Sequence, residues 1–329
     1  MKKVMITGGC GFIGSHLLDY LLNNYDCEIV VIDRIDCAGS QNRIRNCVFN
    51  FGKRVKFVFH DLKSDFCCNQ SLMSLTGDID SIFHLAAFSH VDRSIEDPLL
   101  CVMDNVVGTC NILNFARKLK NLNTFIYLSS DEVFGSAQPG ESFSDFDRYN
   151  SSNPYSASKA GAEELCVSFH RTYGMPIKIC HCTNVFGEMQ ASEKFIPKCI
   201  SKISKNESIS IHRDSVSGWI GSRYYLYVKD LCSALAFISE SFPNGDKVNI
   251  SGIREYHNLE VAKILADILG NNLNYHLVDS YLVRPGYDSR YDINDFKLRS
   301  KGWMPQYCFE KVMPSVVDWY LNNKEWLAL

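Results

Sequence analysis

Apolar and polar residues alternate in a regular rhythm along the first 187 positions of the chain. Short runs rich in β-branched and aromatic residues, bounded by polar or glycine positions, predict buried strands. These runs are KVMIT, EIVVID, VKFVFHD, SIFHLAA, TFIYLSS and IKICHC. Between them, stretches such as SHLLDYLLNN and GTCNILNFARKLK have helical spacing. Strands that alternate with helices predict an α/β fold with a doubly wound parallel sheet.

Composition narrows the class of protein. The chain has 329 residues, of which 46% are hydrophobic and 22% charged, enough for one large or two interlocked globular domains. No apolar run approaches the length of a membrane span, and the opening MKKVMITGGCGFIG is too short and glycine-rich for a signal peptide. We therefore expect a soluble, cytoplasmic protein with no membrane partner. A net charge of −3 without a basic stripe makes nucleic acid an unexpected partner.

Fourteen cysteines raise the question of disulfides and metals. Without a secretory signal, reduced thiols on apolar segments are the expected state. Cys180 and Cys182 flank His181, but strand alternation puts the cysteines on one face and the histidine on the other. We expect no metal site there, nor at the adjacent pair Cys67 and Cys68.

A glycine-rich turn joins the first strand to the first helix. In TGGCGFIG, Gly8, Gly11 and Gly14 allow a tight turn and bring backbone N–H groups close to a pyrophosphate at the helix N-terminus. The second strand ends in Asp33, whose carboxylate can accept hydrogen bonds from an adenosine ribose and repel a 2′-phosphate. The neighbouring Arg34 argues in the other direction, for NADP. The pattern predicts a Rossmann-type dinucleotide site that prefers NAD.

A tyrosine and a lysine share one face of a predicted helix. In YSASKAGAEEL, Tyr155 and Lys159 are four residues apart, so their side chains converge. A lysine ammonium favours the phenolate of a nearby tyrosine, which can then take a proton from a sugar hydroxyl. Behind a dinucleotide motif, the pair predicts a dehydrogenase-type centre and not an ordinary helix surface.

Two acidic residues follow a buried strand in YLSSDEVFG. Carboxylates at such a position are costly unless something uses them. Asp131 and Glu132 could cap the following turn or helix, or act as an acid and base pair.

Together, TGGCGFIG, YLSSDEVFG and YSASK resemble the extended short-chain dehydrogenase/reductase family. The Asp-Glu pair resembles its nucleotide-sugar 4,6-dehydratases, the dTDP-glucose and UDP-glucose enzymes. Similarity continues through AAFSHVDRSI, EKFIP, LYVKD and VRPGYDSRYDIN, so it covers almost the whole chain. The resemblance implies a hydro-lyase that oxidises C4 of the sugar with NAD, removes water across C5 and C6, and returns hydride to C6.

The resemblance also implies a role for each matching residue. Tyr155 takes the proton of the 4-hydroxyl, assisted by Ser130 and Lys159. Glu132 then removes the C5 proton while Asp131 protonates the departing 6-hydroxyl.

Further site residues follow from the same resemblance. The cofactor site would contain Gly8, Gly11, Phe12, Ile13, Gly14, Asp33, Arg34, Asp61, Leu62, Leu85, Ala86, Ala87, Tyr155 and Lys159. The nucleotide-sugar site would contain Ser89, Ser130, Asn184, Glu193, Lys194, Arg223, Arg284 and Tyr287. A homodimer through a helical interface and a place in deoxysugar biosynthesis, such as a rhamnose pathway, are also implied.

The resemblance suggests a division into two domains. Residues 1–187 with about 224–253 would bind NAD, and about 188–223 with 254–329 would form a smaller, mainly C-terminal domain for the nucleotide sugar. Within the latter, HNLEVAKILADILGNN predicts an amphipathic helix capped by Asn258 and ended by Gly270.

Alternative activities remain within the same family. The 4-epimerases usually have small or hydroxyl residues in place of Asp131 and Glu132, and UDP-glucuronate decarboxylases keep the glutamate after a serine. A non-enzymatic NAD-binding sensor would often lack Tyr155 or Lys159. Departures such as Phe88 and Tyr287 border the nucleotide end, so UDP-glucose and dTDP-glucose both stay open as substrates.

Overall fold

A parallel β-sheet forms the centre of the computed structural model, which describes residues 1–36, 39–66, 70–214, 217–283 and 286–327. In these residues seven strands lie in the order β10-β6-β5-β4-β1-β2-β3. They are β1 (Lys3–Thr7), β2 (Glu28–Asp33), β3 (Val55–Phe59), β4 (Ser81–His84), β5 (Thr124–Leu128), β6 (Ile177–Cys182) and β10 (Lys247–Ile250). Each pair of neighbours is parallel. The expected doubly wound Rossmann-type sheet is thus confirmed.

Helices cover both faces of this sheet. The N-terminal half contains α1 (Phe12–Asn24), α2 (Gln41–Phe51), α3 (Gln70–Thr76), α4 (Val91–Glu96), α5 (Pro98–Val102), a π-helix (Met103–Val107) and α6 (Gly108–Ala116). A 3₁₀-helix (Asp131–Phe134) and α7 (Pro154–Tyr173) follow. Apolar side chains pack on both faces, so strands such as β5, buried at every position, read as continuous hydrophobic runs.

The remaining elements follow β6 along the chain and lie outside the seven-stranded sheet. The strands are β7 (Asn184–Phe186), β8 (Ile209–Arg213), β9 (Ser222–Tyr227), β11 (Glu255–His257) and β12 (Tyr275–Asp279). They form a sheet in the order β11-β9-β7 and a pair of β12 with β8. The helices are α8 (Phe195–Ser204), α9 (Val228–Ser241), α10 (Asn258–Leu269), α11 (Ser280–Val283), α12 (Phe296–Ser300), α13 (Phe309–Asn322) and a 3₁₀-helix (Lys324–Leu327).

The predicted domain boundary at residue 187 lies just after a crossing between sheets. The chain leaves the main sheet at Cys182 and joins the small sheet at Asn184. Helix α9 packs on β5 and β6, and β10 extends the main sheet beside β6. The two-domain division remains a prediction.

Helix α10 shows one error in the sequence analysis. Asn258 is the first helical residue and not the cap; His257 holds the N-cap position without a side-chain hydrogen bond. The Asn258 carboxamide instead accepts a hydrogen bond from the Tyr225 hydroxyl at 3.3 Å. Gly270 ends the helix in the left-handed conformation, as predicted.

The expectation about membrane-spanning length was also wrong. By length and composition, the continuous stretch Pro98–Ala116 is long and apolar enough to span a bilayer. Half of that stretch is buried inside the protein, and its Asp104 pairs with Arg34. A buried core helix passes the same test of length and composition, and the contacts of this segment fit that explanation.

Cysteines and histidines show no sign of metal chemistry in the described residues. The cysteines placed there are free thiols, most of them buried, and these residues contain no metal-like group of three or more His, Cys, Asp or Glu. His181 bonds to Glu163 and Asn249 at 3.0 and 2.9 Å. Cys67 and Cys68 lie outside the described residues.

Candidate active site

A cavity of about 640 Å³ lies along the carboxyl edge of the main sheet. The sheet order reverses between β1 and β4, and open α/β sheets bind ligands at such a point. The loops after β1, β2, β4 and β5 line the cavity on one side, and residues of α8, β8 and β9 line it on the other. It therefore offers one continuous site for a dinucleotide and a second ligand.

The turn after β1 accommodates only glycine at two positions. Gly8 has φ +73°, and a Cβ there would lie 2.7 Å from the backbone nitrogen of Ala86. A Cβ on Gly14 would lie 2.2 Å from the carbonyl oxygen of Gly8. Gly11 is the N-cap of α1 and has no side chain to cap the helix, and the first turn of α1 lines the cavity. The N–H groups of that turn therefore have no side-chain acceptor from the cap residue. This is the cradle that a pyrophosphate requires.

The end of β2 carries the predicted ribose ligand. The Asp33 carboxylate accepts hydrogen bonds from the backbone N–H groups of Cys10 at 2.9 Å and Ile35 at 2.8 Å, which fix it at the cavity wall. Arg34 lies beside it but is paired with Asp36 and Asp104.

The other predicted cofactor residues line the same cavity. They are Phe12, Ile13, Asp61, Leu62, Leu85, Ala86, Ala87, Tyr155 and Lys159.

Ser130 organises the two acidic residues after β5. It is the N-cap of the 3₁₀-helix: its Oγ accepts from the backbone N–H of Glu132 at 3.3 Å and donates to Asp131 Oδ1 at 3.2 Å. Because Ser130 caps this helix, helix capping does not explain the presence of Asp131 or Glu132. Both carboxylates line the cavity.

Asp131 and Glu132 have different surroundings. Asp131 is 4% exposed, and its Oδ2 has no hydrogen-bond partner among the described residues. Burial, followed by the charge of Glu132, raises the pKa of Asp131 to about 8. Glu132 accepts a hydrogen bond from the hydroxyl of Tyr291 at 3.3 Å. One carboxyl is thus held protonated near neutral pH, and its neighbour has a phenol to orient it.

Helix α7 positions the tyrosine and lysine. Asn153 caps it in a capping box with Ser156, and Tyr155 and Lys159 follow in its first two turns. Lys159 Nζ donates to the carbonyl of Leu128 and lies 4.5 Å from the ring centroid of Tyr127. Burial lowers the pKa of Lys159 to about 8.

Tyr155 departs from the expectation of a stabilised phenolate. Burial and then Glu132 raise its pKa well above the ordinary value, while a hydrogen bond with Ser130 acts in the opposite direction. In this protein the cost of burying a phenolate therefore outweighs the help expected from Lys159.

Most predicted substrate residues lie around the far end of the cavity. Ser89, Asn184, Glu193, Lys194, Arg223 and Tyr287 line it. Arg284 lies outside the described residues. Lys194 Nζ donates to the carbonyl of Ser89 at 2.7 Å, and Glu193 lies 3.9 Å from His90 Nε2, so these contacts join the two walls.

Arg223 is buried and charged at the wall of β9. Its Nη atoms donate to the carbonyls of Ser222, Asp288 and Ser289 at 2.6 to 2.9 Å. Its guanidinium carbon lies 4.4 Å from the ring centroid of Tyr291. These contacts fix a cation beside the cavity.

Unpaired buried oxygens point to a polar ligand. Four that line the cavity lack a hydrogen-bond partner in the described chain: Ser129 Oγ, Asp131 Oδ2, Asn184 Oδ1 and Tyr287 OH. Buried polar atoms normally find partners, so a hydroxyl-rich ligand would satisfy them.

Sequence reasoning missed several cavity residues. Tyr291 and Asp288 belong to the motif VRPGYDSRYDIN, and the single proton of the Tyr291 hydroxyl is shared between Asp288 at 2.9 Å and Glu132 at 3.3 Å. The alternation of polar and apolar residues in that motif could have indicated Tyr291. Asp104 lies inside a helical pattern, where nothing in the sequence indicated a role at the Asp33 end of the cavity.

Known proteins of similar length match nearly the whole chain. Residues 5–316 match the family model described as GDP-mannose 4,6 dehydratase. The dTDP-glucose 4,6-dehydratase of Haemophilus influenzae is 34% identical over 98% of this chain and 99% of its own. The low-salt glycan biosynthesis protein Agl12 of Haloferax volcanii is 35% identical over 98% and 99%. The crystal structure of DesIV, a dTDP-glucose 4,6-dehydratase from Streptomyces venezuelae solved with NAD bound, is 30% identical with a TM-score of 0.88 over 98% of both chains.

Proposed function

Because this chain belongs to the GDP-mannose 4,6 dehydratase family, among the extended short-chain dehydrogenase/reductases, we propose that it is an NAD-dependent nucleotide-sugar 4,6-dehydratase. It converts a nucleoside-diphosphate glucose into the 4-keto-6-deoxy sugar with loss of water. The observation that carries this proposal is the pair Asp131 and Glu132, which lines one cavity with Ser130, Tyr155 and Lys159. An adjacent acid and base are suited to the elimination of water. An epimerase carries out no elimination and does not need this pair.

The cofactor would occupy the sheet side of the cavity. The glycine turn and the N-terminus of α1 would hold its pyrophosphate, Asp33 its adenosine ribose, and Tyr155 and Lys159 would lie at its nicotinamide end. When bound, NAD supplies the oxidising power for C4 and returns the same hydride at C6.

The side chains of the protein move the protons. Tyr155, as the phenolate, accepts the proton of the 4-hydroxyl and becomes the neutral phenol that burial favours, and Ser130 assists through its hydrogen bond to Tyr155. The buried Lys159 holds positive charge near the phenol and favours that transfer. Bound NAD adds a further positive charge, which opposes the effect of burial on Tyr155.

The elimination uses the two carboxyl groups. Glu132 removes the C5 proton, which the adjacent 4-ketone acidifies, and Asp131 protonates the departing 6-hydroxyl. A pKa of about 8 leaves Asp131 protonated at neutral pH, as an acid must be. Tyr291 orients Glu132 through its hydroxyl.

The nucleotide and diphosphate would lie against the second wall. Arg223 is a buried cation suited to the diphosphate, together with Lys194 and Arg284. Asn184, Glu193, Ser89 and Tyr287 would contact the sugar and nucleotide. UDP-glucose and dTDP-glucose are the substrates we propose, and a deoxysugar pathway such as that of rhamnose would use the product.

We also propose a homodimer in the cytoplasm. Apolar side chains remain exposed from α4 through α5 to the start of the π-helix, with Ile95 at 36%, Leu99 at 70%, Val102 at 40% and Met103 at 37%. Such a cluster on helices is typical of a protein interface. The free thiols among the described cysteines suit a reducing compartment.

A mass measurement tests the reaction directly. The purified protein is incubated separately with UDP-glucose, dTDP-glucose, GDP-mannose and UDP-glucuronate, and products are identified by mass. Loss of one water from a hexose substrate is the expected result and ranks the nucleotides. Loss of carbon dioxide from UDP-glucuronate, or epimerisation without a change in mass, with no dehydration of any hexose, would overturn the proposal.

A further inference from the structure

Arg34 is the cation nearest to the predicted ribose ligand, yet its guanidinium is held by carboxylates. Its Nη1 and Nη2 donate to the two oxygens of Asp104 at 2.7 and 2.6 Å, a forked pair. Its Nε donates to Asp36 at 2.7 Å on the other edge. Asp61 lies 3.6 Å from Nη1. The guanidinium therefore already has ionic partners on both of its edges.

Asp104 is the most firmly placed of these partners. Its side chain is 4% exposed, whereas that of Asp36 is 37% exposed. It lies in the π-helix Met103–Val107, where both Asp104 and Asn105 are buried. A π-turn adds a residue to the helix and changes which side chains face inward, and such turns often occur at functional sites. Asn105 holds the backbone of Phe88, while Asp104 reaches Arg34.

Carboxylates outnumber cations around this end of the cavity. Asp33, Asp36, Asp61 and Asp104 face Arg34 and Lys63, and all six residues line the cavity. Lys63 is shared as well, with Nζ 3.5 Å from Asp61 and 3.4 Å from Asp104. The hydrogen bond that Arg34 donates to Asp104 is the largest cause of its raised pKa, so the arginine stays charged and Asp104 is its main partner.

We propose that Asp104 sets the choice of dinucleotide by keeping Arg34 in this forked pair, so that the arginine is unavailable to a 2′-phosphate. An arginine directly after the acidic residue of β2 is a natural ligand for the 2′-phosphate of NADP. A forked arginine–carboxylate pair satisfies the same donors that a phosphate would use. Asp104, and not Asp33 alone, thus makes the site accept NAD and reject NADP. The inference rests on the proposed function, because it assumes that the cavity binds a nicotinamide dinucleotide.

Matched variants separate the forked pair from simple charge. Asp104→Asn and Asp36→Asn each remove one negative charge next to Arg34, but only Asp104→Asn breaks the fork. Dissociation constants for NAD and NADP are measured by calorimetry on protein freed of bound cofactor, with melting temperatures as a check on folding. We expect Asp104→Asn to raise the affinity ratio of NADP to NAD by about tenfold or more, and Asp36→Asn to raise it by less than about threefold.

A double variant tests whether the gain comes from Arg34. In Asp104→Asn/Arg34→Gln the gain in NADP affinity should disappear, because the freed guanidinium is gone. Equal shifts in the two single asparagine variants, or a gain that persists without Arg34, would overturn the proposal. If Asp104→Asn fails to fold, Asp104→Ser replaces it under the same criteria. A natural protein that binds neither dinucleotide would instead overturn the proposed function and this inference with it.

Discussion

Asp131 shows how one buried side chain determines a pH profile. Its pKa is raised to about 8 by burial and by Glu132. We expect the rate of dehydration to be steady near neutral pH and to fall above about pH 8, as the acid loses its proton. The rate of product formation from pH 6 to 10 at saturating substrate measures this, with substrate affinity followed in parallel. A rate that rises steadily through pH 8 to 10 would exclude Asp131 as the acid.

Lys159 also has a pKa of about 8, so the pH dependence of the rate alone does not separate it from Asp131. Comparing the pH dependence of stability in the natural protein and in Asp131→Asn isolates the titration of Asp131. Between about pH 4 and 8 the folded protein holds a proton on Asp131 that the unfolded chain releases. The stability that Asp131 contributes is therefore present at low pH and lost as pH approaches 8. We expect the free energy of unfolding of the natural protein, relative to Asp131→Asn, to fall by at least about 1 kcal/mol from pH 5 to pH 8 in urea titrations.

Tyr291 offers a second test at the residue scale. Its hydroxyl bonds to Glu132 and Asp288, and its ring packs under Arg223. Tyr291→Phe keeps the ring and removes the group that orients Glu132. We expect kcat for dehydration to fall about tenfold to a hundredfold with little change in KM, because the base loses its orientation. Because C5 is reprotonated when hydride reaches C6, the rate at which deuterium from heavy water appears at C5 of the product, measured by mass, should fall in proportion.

A control for Tyr291→Phe is available in Tyr224, whose hydroxyl donates to Asp292 at 3.4 Å and not to Glu132. Tyr224→Phe should leave kcat within about twofold. Equal losses in both variants would mean that Tyr291 acts only through the packing of this wall.

The sequence indicated the proposed catalytic residues because each belongs to a local pattern. Asp131 and Glu132 follow a strand, and Tyr155 and Lys159 share a helix face, so spacing alone brings each pair together. Tyr291 approaches Glu132 from 159 positions away, a contact that only the folded chain creates. The raised pKa of Tyr155 also depends on burial by distant segments, which spacing does not show.

Helix α7 carries Tyr155 and Lys159 and is held by a buried charge network. Glu163 is fully buried, accepts hydrogen bonds from Tyr149 and His181, and forms an ion pair with Lys247 at 3.0 Å. Burial opposes its ionisation most strongly, but His181 and Lys247 together outweigh burial and hold its pKa at about 2. The network therefore joins α7 to β6 and β10 as long as Glu163 stays ionised.

Removing that charge should destabilise the protein. Glu163→Gln leaves the buried Lys247 ammonium without its counter-charge, so we expect a loss of about 3 kcal/mol in the free energy of unfolding. Because the folded pKa is depressed, the contribution of Glu163 is present above about pH 4.5 and is lost as pH falls toward 2. Urea titrations at pH 7 measure the loss.

The matched control is Glu164→Gln, at the exposed neighbouring position of the same helix. It should change stability by less than about 0.5 kcal/mol. A similar loss in both variants would contradict a role for the buried network.

The boundaries of a strand were predictable where the strand and its apolar run begin and end at the same residues. Strands β1, β2 and β6 have the predicted bounds, because polar or glycine residues flank continuous apolar runs. The helical stretch Pro98–Ala116 was predicted only in its second half. Its first half faces outward with exposed Leu99 and Val102, so its pattern lacks a clear polar face, and the π-turn disturbs the 3.6-residue period.

At the scale of the whole molecule, the two walls of the cavity come from distant parts of the chain. Tyr291 and Arg223 face Glu132 and Tyr155 across a single space. The sequence predicted the sheet side in detail, because local motifs form it. It predicted the second wall only through family resemblance, since short strands such as β7 and β11 carry little pattern of their own.

The exposed apolar face of α4 and α5 bears on assembly. Leu99 is 70% exposed on α5, beside Val102 and Met103 at 40% and 37%. If this face pairs with its copy in a homodimer, Leu99 becomes buried near a two-fold axis and meets its symmetry mate or a close neighbour. A charge there would be buried twice in each dimer. We expect Leu99→Glu to raise the dimer dissociation constant at least about a hundredfold while the monomer stays folded.

Sedimentation velocity over a range of protein concentrations distinguishes the outcomes for this face. The natural protein should sediment as a dimer, and Leu99→Glu as a monomer with an unchanged far-ultraviolet circular dichroism spectrum. Leu282→Glu is the matched control, because Leu282 is similarly exposed, at 79%, but lies on a different helix, α11. Leu282→Glu should remain dimeric, because a glutamate that stays exposed to water in the dimer does not weaken the interface. A natural protein that stays monomeric at micromolar concentration, or a dimer that tolerates Leu99→Glu, would show that this apolar face does not form the dimer interface.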